Sequence, residues 1–149
     1  MQTRQFVVRD VVTVSPDADV AAAARLMREK HVGFLVVTDQ RNGGQYPIGV
    51  LTDRDIVMES VAENENPHNL KVSDVMTTRP LVAMLDERVE ELLPRMRAAG
   101  VRRAPVVDNT GALAGVIAFD DVLQVLADAL RDMAGLVTRQ RVTETTMRA

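Results

Sequence analysis

The chain consists of two similar halves, and this internal duplication most constrains its fold. Residues 15–39 align with residues 84–108 at an offset of 69, and the matched pairs are Val20 with Val89, Met27 with Met96, Val32 with Val101, and Asp39 with Asp108. Beyond the aspartates the offset falls to 66, which aligns Gly49 with Gly115 and Asp55 with Asp121. The first copy therefore carries three extra residues in a turn, where insertions cost least. A period this long indicates a duplicated unit of roughly sixty residues rather than a solenoid repeat.

Each copy predicts the order β-α-β-β-α. Short β-branched runs bounded by turn residues predict strands at 11–14, 34–37 and 48–51 in the first copy, and at 81–83, 104–107 and 114–117 in the second. Apolar residues at three- and four-residue steps predict a helix after the first strand of each copy. A second helix closes each copy, from about residue 53 and about residue 120. Because one such unit buries too little apolar surface to be comfortably stable alone, we predict an α+β fold of two units packed by pseudo-twofold symmetry.

The predicted organisation is a first unit at 1–62, a polar linker at 63–71, a second unit at 72–135, and a helix end with a mobile tail at 136–149. Pro94 falls inside the predicted first helix of the second unit. An interior proline costs about 3 kcal/mol in a helix. We therefore expect a kink or an irregular turn at this position.

Composition excludes several classes of function. The chain has no cysteine and two histidines, so cysteine-based zinc sites, thiol catalysis and a histidine-rich metal site are not expected. Its net charge is −3 and aromatics make up 3%, which argues against nucleic-acid binding. The N-terminus lacks the apolar run of a signal peptide, and no window resembles a membrane helix, so we expect a cytoplasmic protein. No catalytic triad, P-loop or pair of catalytic acids is found, so we expect no enzyme activity.

The stretch G-V-L-T-D-R-D at 49–55 predicts a strand that ends in a helix N-terminus. The unpaired backbone N–H groups of such an end favour anions such as phosphate. Thr52 offers a hydroxyl there, Arg54 a positive charge, and Asp55 a carboxylate that can accept two hydrogen bonds from vicinal ribose hydroxyls. The same residues also fit a capping box, in which Thr52 and Asp55 satisfy each other's backbone N–H groups.

The duplication, together with D-V-M-T at 74–77, V-V-T-D at 36–39 and G-V-L-T-D-R-D at 49–55, resembles a pair of CBS domains, also called a Bateman module. The resemblance covers about residues 5–130. It implies a stand-alone tandem of CBS domains that regulates another protein and has no catalysis of its own. It also implies that adenosine compounds bind in clefts between the two units, with the T-x-x-D contributed by one unit and the adenine slot by the other.

The resemblance assigns residues to two clefts. The main site comprises Thr52, Arg54 and Asp55 of the first unit with Met76, Thr77, Leu81, Val101, Arg102, Arg103, Ala104 and Pro105 of the second. A weaker second site comprises Val7, Val12, Val32, Gly33, Phe34, Leu35, Ala118 and Asp121. Ala118 replaces the threonine in this second copy, so we expect it to bind a charged nucleotide less well. Arg102 and Arg103 are neighbours on a predicted strand and should face opposite ways; they are either a phosphate clamp or two solvated arginines.

The implied ligand is an adenine nucleotide of the AMP, ADP or ATP class, with Mg²⁺ only if it is ATP, and the implied role is energy sensing. The alternatives are an S-adenosylmethionine or NAD(H) sensor and a ligand-free structural or dimerisation module. The expected partners are the adenosine compound, a second copy of the chain and an unknown effector protein, with neither nucleic acid nor membrane. A further alternative is a fragment-like regulator, supplied in trans, of an enzyme such as IMP dehydrogenase. A homodimer is expected because the last helix carries a wide apolar stripe at Val122, Leu126, Ala129, Leu130, Met133 and Val137. The alternative is that this stripe packs wholly on its own chain.

Overall fold

The computed structural model describes residues 1–148, and within them both copies have the predicted order of strands and helices. The first half contains β1 Thr13–Val14, α1 Val20–Lys30, β2 Phe34–Arg41, β3 Gly44–Thr52 and α2 Asp53–Ile56, which a π-helical turn at Val57–Val61 continues. The second half contains α3 Val72–Val75, β4 Thr77–Thr78, β5 Ala83–Met84, α4 Val89–Ala99, β6 Arg103–Val107, β7 Leu113–Ala118 and α5 Phe119–Arg148. A short 3-10 helix, Thr3–Gln5, precedes them.

Each unit has a small mixed sheet covered by helices. In the first, β1 pairs parallel with β2 and β2 pairs antiparallel with β3; in the second, β5, β6 and β7 repeat this arrangement. The apolar residues of the central strands are fully buried, as Leu35 and Leu51 illustrate in the first unit and Val106 in the second. The tandem α+β architecture expected from the duplication is confirmed.

The two units exchange their leading segments. The strand β4 comes from the second half of the chain, but it pairs with β3 of the first unit. In return, Val8 from the N-terminus pairs with Val116 in β7, through two backbone hydrogen bonds of 2.9 Å. Each sheet is thus completed by the other half of the chain. The predicted domain boundaries stay a prediction. They divide the chain by sequence, whereas each folded unit includes a segment from the other half.

Two glycines permit this exchange. A Cβ on Gly49 would lie 2.6 Å from the Met76 sulfur, and one on Gly115 would lie 2.5 Å from the Val8 carbonyl oxygen. Contacts that short do not occur between a real Cβ and its neighbours. Gly49 and Gly115 are therefore required for the close approach of the exchanged strands.

Helix α1 is capped at both ends. The Asp19 carboxylate accepts a hydrogen bond of 2.6 Å from the Ala22 N–H, and α1 ends at His31 in a left-handed conformation. The irregular turn expected at Pro94 is wrong, because α4 is uninterrupted through it, and the kink given as the other possibility stays a prediction. Pro94 removes the N–H that would bond the Glu90 carbonyl, and both residues are exposed, so that water can satisfy the carbonyl.

The two hairpins turn differently. β2 and β3 are joined through Asn42 and Gly43, both with positive φ, as a tight two-residue turn requires. The shorter β6–β7 hairpin is closed by Asp108, whose carboxylate accepts hydrogen bonds from the Thr110 hydroxyl at 2.6 Å and from backbone N–H groups. These hydrogen bonds, the hydroxyl's foremost, lower the pKa of Asp108.

The last helix extends further than the sequence predicted. It runs to Arg148, so residues described as a tail are helical, and Ala149 lies outside the described residues. Val122 is buried in the second unit, whereas Leu130 is 67% exposed and Leu136 is 69% exposed. The alternative that the apolar stripe packs wholly on its own chain is therefore wrong. Among the described residues, no helix has the length and apolar character needed to cross a bilayer.

A buried threonine tests the exchange. Thr3 is fully buried and its hydroxyl has no hydrogen-bond partner among the described residues, whereas Val72 occupies the equivalent position in the other unit. We expect Thr3→Val to raise the free energy of unfolding by about 1–2 kcal/mol, because an unsatisfied buried hydroxyl is removed. Urea denaturation measures the change. The reciprocal control, Val72→Thr, should destabilise the protein by a similar amount. Destabilisation by Thr3→Val would contradict the view that the Thr3 hydroxyl is buried without a hydrogen-bond partner.

Candidate functional site

The T-x-x-D stretch forms a helix start at the end of a strand. β3 ends at Thr52 and α2 begins at Asp53. The Asp55 N–H donates to the Thr52 hydroxyl at 3.1 Å, and the Thr52 N–H donates to the Asp55 carboxylate at 2.9 Å. The capping box foreseen as an alternative is therefore present. It engages one oxygen of the Asp55 carboxylate, and it fixes both side chains at the helix start.

This helix start opens onto a cleft between the two units. The cleft has a volume of about 530 Å³, within the roughly 300–1,000 Å³ typical of small-molecule sites. The structure brings nine of the residues predicted for the main site to its wall: Thr52, Arg54, Asp55, Thr77, Leu81, Val101, Arg102, Arg103 and Pro105. Six further residues complete the wall: Gly33, Phe34, Val50, Asp53, Pro80 and Gly100.

Two residues predicted for the main site do not reach the cleft. Ala104 is fully buried in the core of the second unit, and Met76 packs against the core of the first. Arg102 and Arg103 are both exposed and both line this cleft, and Arg103 also lines a second one; that they face opposite ways stays a prediction. Since β6 begins at Arg103, the alternation of a strand does not extend back to Arg102.

A second cleft lies beside the α5 N-terminus and has a volume of about 370 Å³. Six of the residues predicted for the second site line it, namely Val12, Val32, Gly33, Phe34, Ala118 and Asp121. Leu35 is instead fully buried, and Val7 packs on the core of the second unit. Seven further residues line this cleft and were not predicted for it: Val8, Asp10, Val11, His31, Arg103, Val116 and Asp120. The internal repeat contained a signal for two of them, because Val8 is the counterpart of Thr77 at the offset of 69 and Asp120 is that of Arg54 at the offset of 66.

The two clefts adjoin. Gly33, Phe34 and Arg103 line both of them. Phe34 and Arg103 are equivalent residues of the two copies, and each is the first residue of its strand. At this equivalent position the first copy thus has the aromatic ring of Phe34, and the second copy has the guanidinium of Arg103. The structure records no ion pair for Arg103 among residues 1–148.

An ion pair links the walls of the two clefts. Arg102, in the main cleft, donates to the Asp120 carboxylate of the second cleft at 2.9 Å, and its guanidinium lies 5.9 Å from the centre of the Phe119 ring. In the first copy the equivalent of Arg102 is Gly33, where a Cβ would lie 2.6 Å from an Asp53 carboxylate oxygen. The two copies therefore fill the same position with different contacts.

The clefts differ in charge. The main cleft has three arginines, Arg54, Arg102 and Arg103, against Asp53 and Asp55, which leaves one net positive charge. The second cleft has three carboxylates, contributed by Asp10, Asp120 and Asp121, and one arginine, which leaves two net negative charges with histidine counted as neutral. An anion is therefore favoured in the main cleft and disfavoured in the second.

Among the described residues, no group of three or more His, Asp or Glu side chains is arranged to hold a metal ion. The Asp120–Asp121 pair occupies the first turn of α5, where negative charge is favoured by the helix dipole.

A tandem of β-α-β-β-α units with a nucleotide-sized cleft between them defines a class of regulatory module, the CBS pair. The CBS domain family model matches residues 4–62 and again residues 72–128. The chain belongs to the CBS domain family.

Relatives of known sequence include an uncharacterised protein and an enzyme. The chain is 35% identical over 117 residues to the uncharacterised protein MK0525 of Methanopyrus kandleri, covering 78% of this chain and 58% of that protein. It is also 35% identical over 133 residues to inosine-5′-monophosphate dehydrogenase of Methanocaldococcus jannaschii, covering 88% of this chain and 25% of the enzyme. The chain thus spans less than two-thirds of the length of these relatives.

Solved structures share the fold. A putative signal-transduction protein with CBS domains from Burkholderia ambifaria superposes with a TM-score of 0.74 at 25% identity, covering 85% of this chain and 93% of that one. The CBS domain protein PAE2072 of Pyrobaculum aerophilum, complexed with AMP, gives 0.72 at 24% identity, covering 81% and 89%. The CBS pair of protein MJ0100, in complex with 5′-methylthioadenosine and S-adenosyl-L-methionine, gives 0.73 at 19% identity, covering 87% and 98%.

The capping role of Thr52 can be measured without any ligand. We expect Thr52→Ala to lower the free energy of unfolding by about 1 kcal/mol, since the Asp55 N–H loses its side-chain acceptor. Thr52→Ser is the matched control, because it retains the hydroxyl and should stay within a few tenths of a kcal/mol of the wild type. Chemical denaturation in urea reports both. Equal stabilities of the alanine and serine variants would mean that the cap contributes nothing.

Proposed function

We propose that this chain is a non-catalytic regulatory module that binds an adenine nucleotide of the AMP, ADP or ATP class in the main cleft. The observation that carries the proposal is the meeting, on one cavity wall, of Thr52 and Asp55 from the first unit with Arg102 and Arg103 from the second. Hydroxyl, carboxylate and guanidinium groups supplied by two units fit a ligand that has both a ribose and a phosphate.

The chemistry of the cleft suits a nucleotide group by group. The free oxygen of the Asp55 carboxylate can accept hydrogen bonds from the ribose hydroxyls, since the capping box engages the other oxygen. Phosphate oxygens can receive hydrogen bonds from the guanidinium groups of Arg54 and Arg103. Leu81, Val101 and other apolar residues of the cleft offer the flat, dry surface that a purine requires.

Proteins of this fold support the ligand class. The Pyrobaculum protein is complexed with AMP, and the MJ0100 pair with methylthioadenosine and S-adenosylmethionine. All three ligands contain adenosine, so adenosine is the common element that we assign to the main cleft here. The positive charge of the cleft favours AMP, ADP or ATP, with Mg²⁺ only alongside ATP, over the cationic S-adenosylmethionine. NAD(H) is an anion too, so charge does not separate it from these nucleotides and the ligand panel must.

A non-catalytic module of this kind would act by regulating another protein. The matched part of the dehydrogenase is a quarter of that enzyme, so this chain resembles its accessory portion. A nucleotide that binds one arrangement of the two units more tightly than another shifts their equilibrium. An effector protein would read that shift as a report on the cell's energy state. The cytoplasmic location expected from the sequence stays a prediction.

A ligand panel tests the proposal. AMP, ADP, ATP, S-adenosylmethionine and NADH are each added to the folded protein, and the melting temperature is followed. A ligand at one hundred times its Kd stabilises the folded state by about 2.7 kcal/mol, which corresponds to a rise of roughly 5–10 °C for a chain of this size. If the panel leaves the melting temperature unchanged, the ligand-free structural module is the better description.

The ribose contact has a specific variant. Asp55→Ala should weaken binding of the stabilising nucleotide at least tenfold, because charge-assisted hydrogen bonds to the ribose are lost. Isothermal titration calorimetry measures the affinity. Asp39→Ala, which removes an exposed carboxylate outside both clefts, is the control and should bind as the wild type does. Unchanged affinity in Asp55→Ala would exclude the ribose assignment.

We further propose that two copies associate through α5. Beyond Val122, apolar residues recur at three- and four-residue steps and remain exposed, at Leu123, Leu126, Leu130, Met133 and Val137. This spacing is that of a helix that packs along a second helix. The small residues Ala127 and Ala134 flank the stripe and would let the two helices approach closely. A second copy carries the same stripe, so pairing of two copies buries both apolar surfaces at once.

Leu130→Glu tests this interface. Because the leucine is exposed within its own chain, the substitution should leave the fold intact and convert the dimer to a monomer by burying a charge in the seam. Sedimentation or light scattering at micromolar concentrations measures the mass. Thr138→Glu makes the same charge change beside the stripe and should remain dimeric. A monomeric wild type would refute the proposal.

A further inference from the structure

We infer that the second cleft is selective for an adenosine compound that carries no net negative charge. The inference rests on the proposed function, because it assigns to the second cleft the same nucleoside and a different substituent. It predicts that the two clefts of one molecule hold different ligands: a phosphate-bearing nucleotide in the main cleft, and a neutral or cationic nucleoside in the second.

The second cleft retains what a nucleoside needs. Its cavity of about 370 Å³ lies between the units and is walled by five valines and Phe34. Asp121, the counterpart of Asp55, keeps a carboxylate at the helix start for the ribose hydroxyls. An apolar slot and an acidic group at its mouth are the elements that the main cleft also has.

The second cleft lacks what a phosphate needs. Ala118 stands where Thr52 supplies a hydroxyl, and Asp120 stands where Arg54 supplies a cation. Asp10 adds a third carboxylate from the segment that leads into β1. A phosphate dianion placed here would be repelled by these carboxylates, against which the described wall sets the single arginine Arg103. The cleft therefore favours a neutral or positively charged group over a phosphate.

The Arg102–Asp120 ion pair couples the charges of the two clefts. Arg102 reaches from the main cleft to Asp120, and it partly offsets that carboxylate. A phosphate in the main cleft competes with Asp120 for the same guanidinium. When Arg102 turns to the phosphate, the second cleft becomes more negative, so a nucleotide in the main cleft favours a cationic nucleoside in its neighbour. The reverse effect follows by reciprocity.

Adenosine, AMP and S-adenosylmethionine are suitable probes, because they share base and ribose and differ in charge. Binding is measured by calorimetry on Asp55→Ala, which leaves the second cleft intact, and on Asp121→Ala, which leaves the main cleft intact. In Asp55→Ala we expect adenosine and S-adenosylmethionine to bind at least tenfold more tightly than AMP. In Asp121→Ala we expect the opposite order.

Charge neutralisation isolates the cause. Asp10→Asn with Asp120→Asn, introduced into Asp55→Ala, should raise AMP affinity about tenfold and change adenosine affinity less than threefold. Asp17→Asn with Asp132→Asn makes the same change in net charge outside both clefts and should leave the ratio unchanged. If the control pair shifts the ratio equally, the preference comes from overall charge, and the inference fails.

Amide NMR of the wild type provides a readout that needs no variant. Adenosine should shift the resonances of Ala118 and Asp121, and AMP those of Thr52 and Asp55. Equal or tighter binding of AMP than of adenosine to Asp55→Ala, or no binding of any probe to that variant, would overturn the inference while leaving the main cleft standing. Absence of binding to Asp121→Ala would instead refute the proposed function.

Discussion

The backbone pairing between exchanged segments is the interaction on which the rest of the structure depends. Val8 adds an edge to the sheet of the second unit, and β4 adds one to the sheet of the first. Both pairings require a glycine opposite them, since any side chain at Gly49 or Gly115 would meet the incoming strand. The exchange holds the two units face to face with their helix starts turned toward the shared boundary. The clefts are a result of that arrangement and not of either unit alone.

The order of elements could be predicted because it depends on local periodicity, and the duplication allowed each copy to check the other. The exchange could not, since pairing between strands of different halves of the chain leaves no local pattern. The irregular turn at Pro94 was expected wrongly for a related reason: helix propensity does not record that Glu90 and Pro94 are exposed. The length of α5 was underestimated because residues 138–148 are polar, and polarity alone does not end a helix.

The candidate site was predicted unevenly. Most residues of the main cleft followed from matching T-x-x-D in one unit to a strand in the other, and nine of them line one cavity. Ala104 and Met76 were misplaced because a motif identifies positions along a strand and not the side to which each side chain turns. Asp10 was missed because it carries no motif, and Asp120 because it differs in charge from Arg54, its counterpart in the repeat. Their importance comes from charge summed over a wall, which requires the three-dimensional arrangement.

The final helix has a mechanical consequence. From its buried anchor at Val122 to its last described residue it rises about 40 Å at 1.5 Å per residue. Its base adjoins Asp120 and Asp121, at the mouth of the second cleft. Because of this length, a tilt of a few degrees at the base of the helix would displace its far end by several ångströms.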